Sequence, residues 1–586
     1  MGLIILCIQF FYVSSKVLKT DIIFNYIPKV ELCLLDLASS FFAFLLFLVL
    51  IEKAFSKKWH RLFIHLIISS ICGLLYAYYR KTGIYFDSSV LIDNFYLINK
   101  KGSSGVIGSF FDYSFMKRVV EYPILLIIFY KFDFRRWVLR LKVFEKYTYT
   151  LSLLIAFVFI NRNPIYPPFA FIKDLVQGDQ VSTSGAIPPL NYDLSLTDLD
   201  FKKYNMVILL LESFNGTYLG EVTDEGKEVT PVMNRIMRDN IASKNHFSNS
   251  IQTIKGQFSV LCGLLPLPSG KSSYLLDGKK LNCLPKLLSS AGYKSFFYKS
   301  YADDSFDNTK EFFTDIGFDY VMNPQKLGYN DDFLKQKSFS WGIRDDVSYE
   351  IFLNELEKKF GQSDAPFLAT MTTLSHHVPF ELPSSWRFLY PKKDGKKYNF
   401  LNSLHLSDKF LQLFLEKFNK STFKENTIVV ITGDHSFPNG RQGSFFNEKG
   451  ASEDNFKVPM VIILPEELRH KFTKKRQITS HVDLIPSLLN LLGVKKQQYG
   501  HGVSMFSDSY EPTVLVQPYN GGAIKIISQN KKYIWFSSNK YFIAEGTLDN
   551  DSTPYNYVPY KNDIVQDSVE SFFKKQNFLM DKFSID

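Results

Sequence analysis

Apolar segments near membrane-spanning length crowd into the first quarter of this 586-residue chain. A bilayer core takes a helix of about 20 predominantly apolar residues. Five segments approach that measure, at about 3–15, 30–51, 62–79, 119–131 and 147–160. The first and fourth are short and the second carries Glu31 and Asp36, so buried or interfacial helices remain open for them. Further apolar segments follow the first one with no clear small-residue cleavage site, so a cleaved leader is not the expectation. Lys53, Lys57, Lys58 and Arg61 lie between segments two and three, and Lys131, Arg135, Arg136, Arg140, Lys142 and Lys146 lie between four and five. Short basic loops stay cytoplasmic, so both fall on one side only if the chain starts inside and leaves outside after a fifth span. The remainder, from roughly residue 165, is then expected outside the cytoplasm.

Lys+Arg 68 against Asp+Glu 58 gives a net charge of +10, with 22% charged and 46% hydrophobic residues. That balance excludes a disordered chain and a polycation, and the excess is too diffuse to imply a nucleic acid partner. The five cysteines, at 7, 33, 72, 262 and 283, show no paired C-x-x-C metal spacing. Cys262 and Cys283 alone lie outside the apolar region, and they would form a bridge if that part faces an oxidising compartment.

The expected organisation is a transmembrane helical domain over 1–161, a linker over 162–200 rich in proline with a Ser/Thr/Gly patch, and a catalytic domain over 201–586. In the last part, short apolar runs at 206–211, 295–298, 367–372, 428–432 and 458–464 are bounded by turns. Segments 403–420 and 483–492 carry the 3.6-residue apolar period of helices. This rhythm predicts an α/β fold with a central, mostly parallel sheet covered by helices.

Ligands of such sheets gather beyond the carboxyl ends of the strands. Glu212 follows the first run and offers a hard oxygen ligand, or a helix-capping acid. Gly433-Asp434-His435 follows the fourth run and offers a carboxylate and an imidazole, a set suited to Zn²⁺ or Mn²⁺. Thr253 precedes an apolar stretch, where a hydroxyl is by default an N-cap; beside a divalent metal it is instead an activated nucleophile. Lys255 adds charge there or is solvated. One of His376 and His377, after the third run, is expected to face the site. His481 and Asp483 read as capping residues first and metal ligands second.

Together these residues resemble the alkaline phosphatase and sulfatase superfamily, and within it the membrane-anchored branch of lipoteichoic acid synthases and phosphoglycerol or phosphoethanolamine transferases. Glu212 matches the acid after the first strand, Thr253 the nucleophile of a T-x-x-x-x-F pattern ending at Phe258, Asp434-His435 the G-D-H pair, and His377 the histidine of H-x-P-F. Residues 482–489 resemble a V-D-x-x-P-T-L-L helix with Ser487 where Thr is usual, and Trp341 to Asp345 a W-G-x-x-D element, structural or substrate-side.

The resemblance implies an N-terminal bundle of about five spans followed by a sulfatase-like α/β domain in a bacterial cytoplasmic membrane. It implies one divalent metal, Mn²⁺ with Zn²⁺ or Mg²⁺ as alternatives, on Glu212, Thr253, Asp434 and His435, and Thr253 as nucleophile. His377, Asn308 and Trp341 are the expected substrate-side residues. The implied donor is a membrane phospholipid and the implied acceptor a cell-envelope glycan or lipid. Lipoteichoic acid synthases place a Trp and an Arg near the substrate phosphate, whereas Phe306-Asp307-Asn308-Thr309 has neither, which disfavours a glycerol-phosphate polymerase. Cys262-Gly263-Leu264 lacks the C-x-P-x-R element of formylglycine sulfatases. The alternatives are a hydrolase of the same superfamily and a non-catalytic membrane sensor.

Overall fold

The computed structural model describes residues 57–82, 204–266, 280–301, 309–339, 342–437, 453–494, 498–508 and 513–517, the strand segments 522–528, 531–536, 540–545, 558–559 and 584–585, and isolated positions 10, 117, 119, 120, 123 and 124. The expected spans other than 62–79, and the linker, lie outside these residues apart from those isolated positions. The chain divides into two compact units, Met1–Val181 with Tyr557–Pro559, and Ser182–Asn556 with Tyr560–Asp586.

In the first unit, helix α1 (Lys58–Thr82) includes an apolar stretch from Trp59 to Tyr76, 18 residues with mean hydropathy 1.3 and long enough to cross a membrane. Its inward side mixes apolar residues, Leu62, Cys72, Leu75 and Tyr76, with polar ones. Trp59, Phe63, Ile67, Ile71 and Leu74 are exposed, while Arg61, His65 and Ser69 are buried. An apolar face turned outward and a polar seam turned inward suit a hydrocarbon solvent.

The second unit is built on an eight-stranded sheet. Its strands are β1 (Asn205–Leu211), β2 (Ile241–Phe247), β3 (Lys294–Lys299), β4 (Tyr320–Met322), β5 (Phe367–Thr372), β6 (Thr427–Gly433), β7 (Lys457–Ile463) and β8 (Thr479–Ser480), in the spatial order β8-β2-β7-β6-β1-β5-β3-β4. Only β7 runs antiparallel to its two neighbours; the other pairings are parallel. The mostly parallel sheet expected from the apolar runs is therefore present. The strand at 241–247, Ile-Ala-Ser-Lys-Asn-His-Phe, carries too many polar residues to announce itself.

Strand β1 shows how one sequence fills two layers. Successive side chains point to opposite faces. Met206, Ile208 and Leu210 enter a core shared with helices Thr253–Cys262 and Leu484–Leu491. Val207, Leu209 and Leu211 enter a second core with helices Pro231–Asp239, Asp345–Phe360 and Lys396–Phe418. A strand buried on both faces is continuously apolar, and this one lies in the middle of the sheet. Beyond it, four antiparallel strands, Thr513–Gln517, Gly522–Ser528, Lys531–Phe536 and Lys540–Glu545, pair in sequence.

Asp408, fully buried on helix Lys396–Phe418, accepts the amides of Val232 and Met233 at 2.8 Å each, satisfying the first turn of helix Pro231–Asp239. Burial pushes its carboxyl up from the ordinary 3.8 to about 7. The folded state therefore binds this proton more tightly than the unfolded chain, and the associated stability is present below pH 3.8 and lost as pH rises towards 7. Asp408→Ala is expected to lower stability by about 2–4 kcal/mol, because two buried amides lose their acceptor. Asp408→Asn is expected to gain on the wild type as pH rises across that window, measured by thermal unfolding at several pH values.

Candidate functional site

The register of the central strands sets the site. Leu211 of β1 lies opposite Gly433 of β6, so the residues that follow, Glu212 and Asp434, emerge side by side where the parallel ladder ends. Carboxylate oxygens of Glu212 and Asp434 and a ring nitrogen of His435 lie within 4.8 Å of one another, all buried. His435 Nε2 is 3.4 Å from Glu212 Oε1 and 3.2 Å from Thr253 Oγ1. The structure thus brings together the four residues that the sequence singled out on three separate motifs. Thr253 is the first residue of its helix and Gln252 holds the cap position, so the default capping role is not the one observed.

Neighbouring backbone fixes these side chains. Ser213 adopts φ of 53°, in the left-handed region. From there its N–H reaches Asp434 Oδ1 at 3.0 Å and its hydroxyl donates to Glu212 Oε1 at 2.6 Å. Gly256, one turn into the Thr253 helix, packs directly on the strand end, where a Cβ would stand 1.8 Å from the Asp434 carbonyl oxygen. Asn249 holds the loop ahead of Thr253 by donating to Val514 O at 2.7 Å and accepting from Val482 N at 3.1 Å. Nothing in the local sequence marks Asn249, because its partners are more than 200 residues away.

Two carboxylates and an imidazole packed this closely perturb one another. Burial alone would raise Glu212, yet the His377 and His435 imidazoles and the Ser213 hydroxyl hold it down at about 2. Burial, and then the Glu212 charge, push Asp434 up to about 8. Burial opposes a charge on His435, but the Asp434 and Glu212 carboxylates outweigh it and raise the ring to about 9. A positive charge beside these carboxylates is stabilised, as the raised His435 shows. Asp434 Oδ2 is buried without a hydrogen-bond partner among the described residues. That orphaned oxygen, with Glu212 Oε1 and His435 Nε2 beside it, fits a divalent cation that accepts both oxygen and nitrogen donors.

His377 lines a cleft together with Glu212 and Thr253, its Nδ1 2.7 Å from Val378 O. His376 turns into the core, bonded to Ser403 Oγ at 2.9 Å and packed on Phe380 and Phe400. Asp483 is committed elsewhere: it accepts from Arg476, from Ser480 N and from Val503 N, and forms a capping box with Ser480. His481 Nε2 is paired with Gly433 O at 2.8 Å. Capping is thus the role the structure gives Asp483, and no second metal site forms from these two. Lys255 is buried, not solvated. Asn308 and Trp341 lie outside the described residues.

The sequence missed a cation. Lys299, at the end of β3 and 5% exposed, lines the same cleft and donates to Thr309 Oγ1 at 2.7 Å. The cleft therefore has an ammonium where residues 306–309 supply no arginine.

A protein-family model, described as sulfatase, matches residues 204–494, the span that contains all of these groups. The chain carries a sulfatase-family domain. It is 24% identical over 375 residues to the lipoteichoic acid synthase-like protein YvgJ of Bacillus subtilis (strain 168), covering 61% of this chain and 57% of that one. It is 27% identical over 331 residues to phosphoglycerol transferase I of Xanthomonas campestris pv. campestris (strain B100), covering 54% and 44%. The chain spans about half the length of the curated relatives it matches. Among solved structures it resembles an alkaline phosphatase superfamily protein of Vibrio parahaemolyticus (TM-score 0.54, 22% identity, 66% of this chain and 89% of that one). It also resembles the lipoteichoic acid synthase LtaP of Listeria monocytogenes (TM-score 0.52, 20% identity, 66% and 96%). These likenesses establish an alkaline phosphatase-like α/β fold.

Adding Mn²⁺ to the purified protein is expected to stabilise it by about 2.7 kcal/mol at a hundredfold excess over the dissociation constant. Asp434→Asn keeps an oxygen for the Ser213 and His435 amides but removes a ligand charge, and it is expected to abolish that shift in a thermal melt.

Proposed function

We propose that this protein is a metal-dependent transferase that moves an alcohol-phosphate group, phosphoglycerol or phosphoethanolamine, from a membrane phospholipid through a phospho-Thr253 diester to a cell-envelope glycan or lipid. One observation carries the proposal: the Thr253 hydroxyl sits 3.2 Å from His435 Nε2, at the start of a helix, beside the Glu212 and Asp434 carboxylates, whose oxygens cluster with His435 as cation ligands would. Curated relatives named as phosphoglycerol transferases and lipoteichoic acid synthases support the same class.

Glu212, Asp434 and His435, with Thr253, would hold the ion, Mn²⁺ or else Zn²⁺ or Mg²⁺. When bound, it lowers the pKa of a nearby hydroxyl and offsets phosphate charge. The chain's own groups do the rest. Thr253 Oγ1 attacks the phosphorus in line, the phosphorus–oxygen bond to diacylglycerol breaks, and the hydroxyl proton ends on the departing diacylglycerol oxygen. His377, lining the cleft, serves that oxygen, and the helix N-terminus at Thr253 favours the phosphate oxygens. An acceptor hydroxyl then attacks the same phosphorus, the bond to Thr253 Oγ1 breaks, and the threonine recovers a proton. Lys299 and its partner Thr309 border the space for the headgroup.

The site belongs outside the cytoplasmic membrane in this proposal. A Cys262–Cys283 disulfide in the domain favours an oxidising compartment, and the outward apolar face of α1 favours a membrane anchor. An N-terminal multi-span bundle would keep the cleft near its lipid donor, raising the effective donor concentration.

Incubating the full-length, Mn²⁺-loaded protein with phosphatidylglycerol or phosphatidylethanolamine is expected to add a phosphoglycerol or phosphoethanolamine mass to the Thr253 peptide. Thr253→Ala is expected to lose both the adduct and turnover. Full turnover in that variant would rule out the covalent route, and water appearing as the sole second acceptor would make the protein a hydrolase.

A further inference from the structure

The element at 342–345 lies outside the cluster of ligands, yet it touches both strand ends that border the cleft. The ladder between β3 and β5 ends at Lys299 opposite Thr372, so Ser300 and residues 373–377 lie beyond its last pair. Segment 342–345 is wedged against them. A Cβ on Gly342 would stand 2.5 Å from Leu374 Cδ2 and 2.7 Å from Ser300 O, which leaves room for glycine alone. Ile343 N donates to Ser300 O at 3.2 Å. Asp345 Oδ1 accepts Leu374 N at 2.8 Å and Ser375 N at 3.1 Å, while Asp345 N donates to Ser375 Oγ at 2.9 Å.

From this clasp, bonds run to both walls of the cleft. His377 N donates to Leu374 O at 3.2 Å, so the turn that Asp345 holds carries His377. Thr373, one residue before Leu374, accepts Glu212 N on its Oγ1 at 2.9 Å. Asp345 itself is fully buried, on the first turn of helix Asp345–Phe360, and does not line the cleft.

We propose that Asp345 is a positioning residue: through the amides of Leu374 and Ser375 it fixes the turn that presents His377 to the donor and Thr373 to Glu212. The inference rests on the transferase function proposed above for the cleft. It assigns Gly342 and Asp345 of the W-G-x-x-D element to support of the cleft wall. The bodies of β3 and β5 are held by their own ladder, so the clasp governs the strand ends and not the sheet. One oxygen takes both amides, and the amide oxygen of asparagine has the same acceptor geometry.

The test uses the full chain in lipid nanodiscs with Mn²⁺ and phosphatidylglycerol, reading diacylglycerol release, thermal melting and amide exchange at 373–377. Asp345→Ala is expected to lower kcat/KM by about 100-fold, the order of loss when a reacting group is misplaced by about 1 Å. Exchange at 374, 375 and 377 should accelerate with it. Asp345→Asn is expected to restore most of the activity and protection. Asp408→Ala, which removes an equally buried carboxylate that also accepts two amides, is expected to lower the melting temperature with kcat/KM unchanged.

An Asp345→Ala protein that loses only melting temperature, as Asp408→Ala does, would overturn the proposal, as would an asparagine variant no better than alanine. If Asp345→Ala does not fold, Ser375→Ala, which removes the Ser375 hydroxyl from the clasp and leaves the Asp345 carboxylate in place, decides: reduced kcat/KM supports the clasp and wild-type kcat/KM overturns it. If the wild type itself releases no diacylglycerol and forms no Thr253 adduct, the transferase function fails separately. The clasp then stands or falls on Mn²⁺ affinity and on exchange at 373–377, both expected to change in Asp345→Ala.

Discussion

Two buried carboxylates at the ends of adjacent parallel strands are the constraint on which the rest of this site depends. Glu212 and Asp434 follow paired residues Leu211 and Gly433, so the sheet itself forces the two acids together. Burial and then the Glu212 charge push Asp434 high, while His377, His435 and the Ser213 hydroxyl hold Glu212 low against its own burial. A divalent cation among these groups would compensate both carboxylates. His435, raised by both carboxylates, sets a positive charge beside them.

The surroundings serve this cluster at some cost in local conformation. Ser213 accepts a left-handed backbone, and in return one residue bonds to both acids. Gly256 gives up a side chain so that the Thr253 helix can rest on the Asp434 carbonyl. Asn249, fully buried, ties the loop before Thr253 to two segments distant in sequence. Each device fixes a group at the reacting end of the sheet, where preorganisation is worth more than flexibility.

Legibility in the sequence followed the local or non-local origin of each feature. The central strands at 205–211, 367–372 and 427–433 were readable because burial on both faces leaves uninterrupted apolar runs bounded by turns. Strand 241–247 was not, since Ser243, Lys244, Asn245 and His246 interrupt any apolar run, and its pairing with β7 and β8 is a tertiary choice. Glu212, Thr253, Asp434 and His435 stood on recognisable short motifs. Lys299 did not, because a lysine ending a short strand reads as solvated until the fold closes a cleft over it.

By itself the sequence determined the concentration of long apolar segments at the N-terminus, the alternating strand and helix pattern after residue 200, and the residue types able to hold a metal and a phosphate. These are local properties, set by side-chain chemistry and by hydrophobic period. Only the tertiary structure decided which of His376 and His377 faces the cleft, that Thr253 begins its helix instead of capping it, and that Asp483 is taken by Arg476 and backbone amides. Those outcomes turn on partners brought from elsewhere in the chain, whose register and close approach no local pattern encodes.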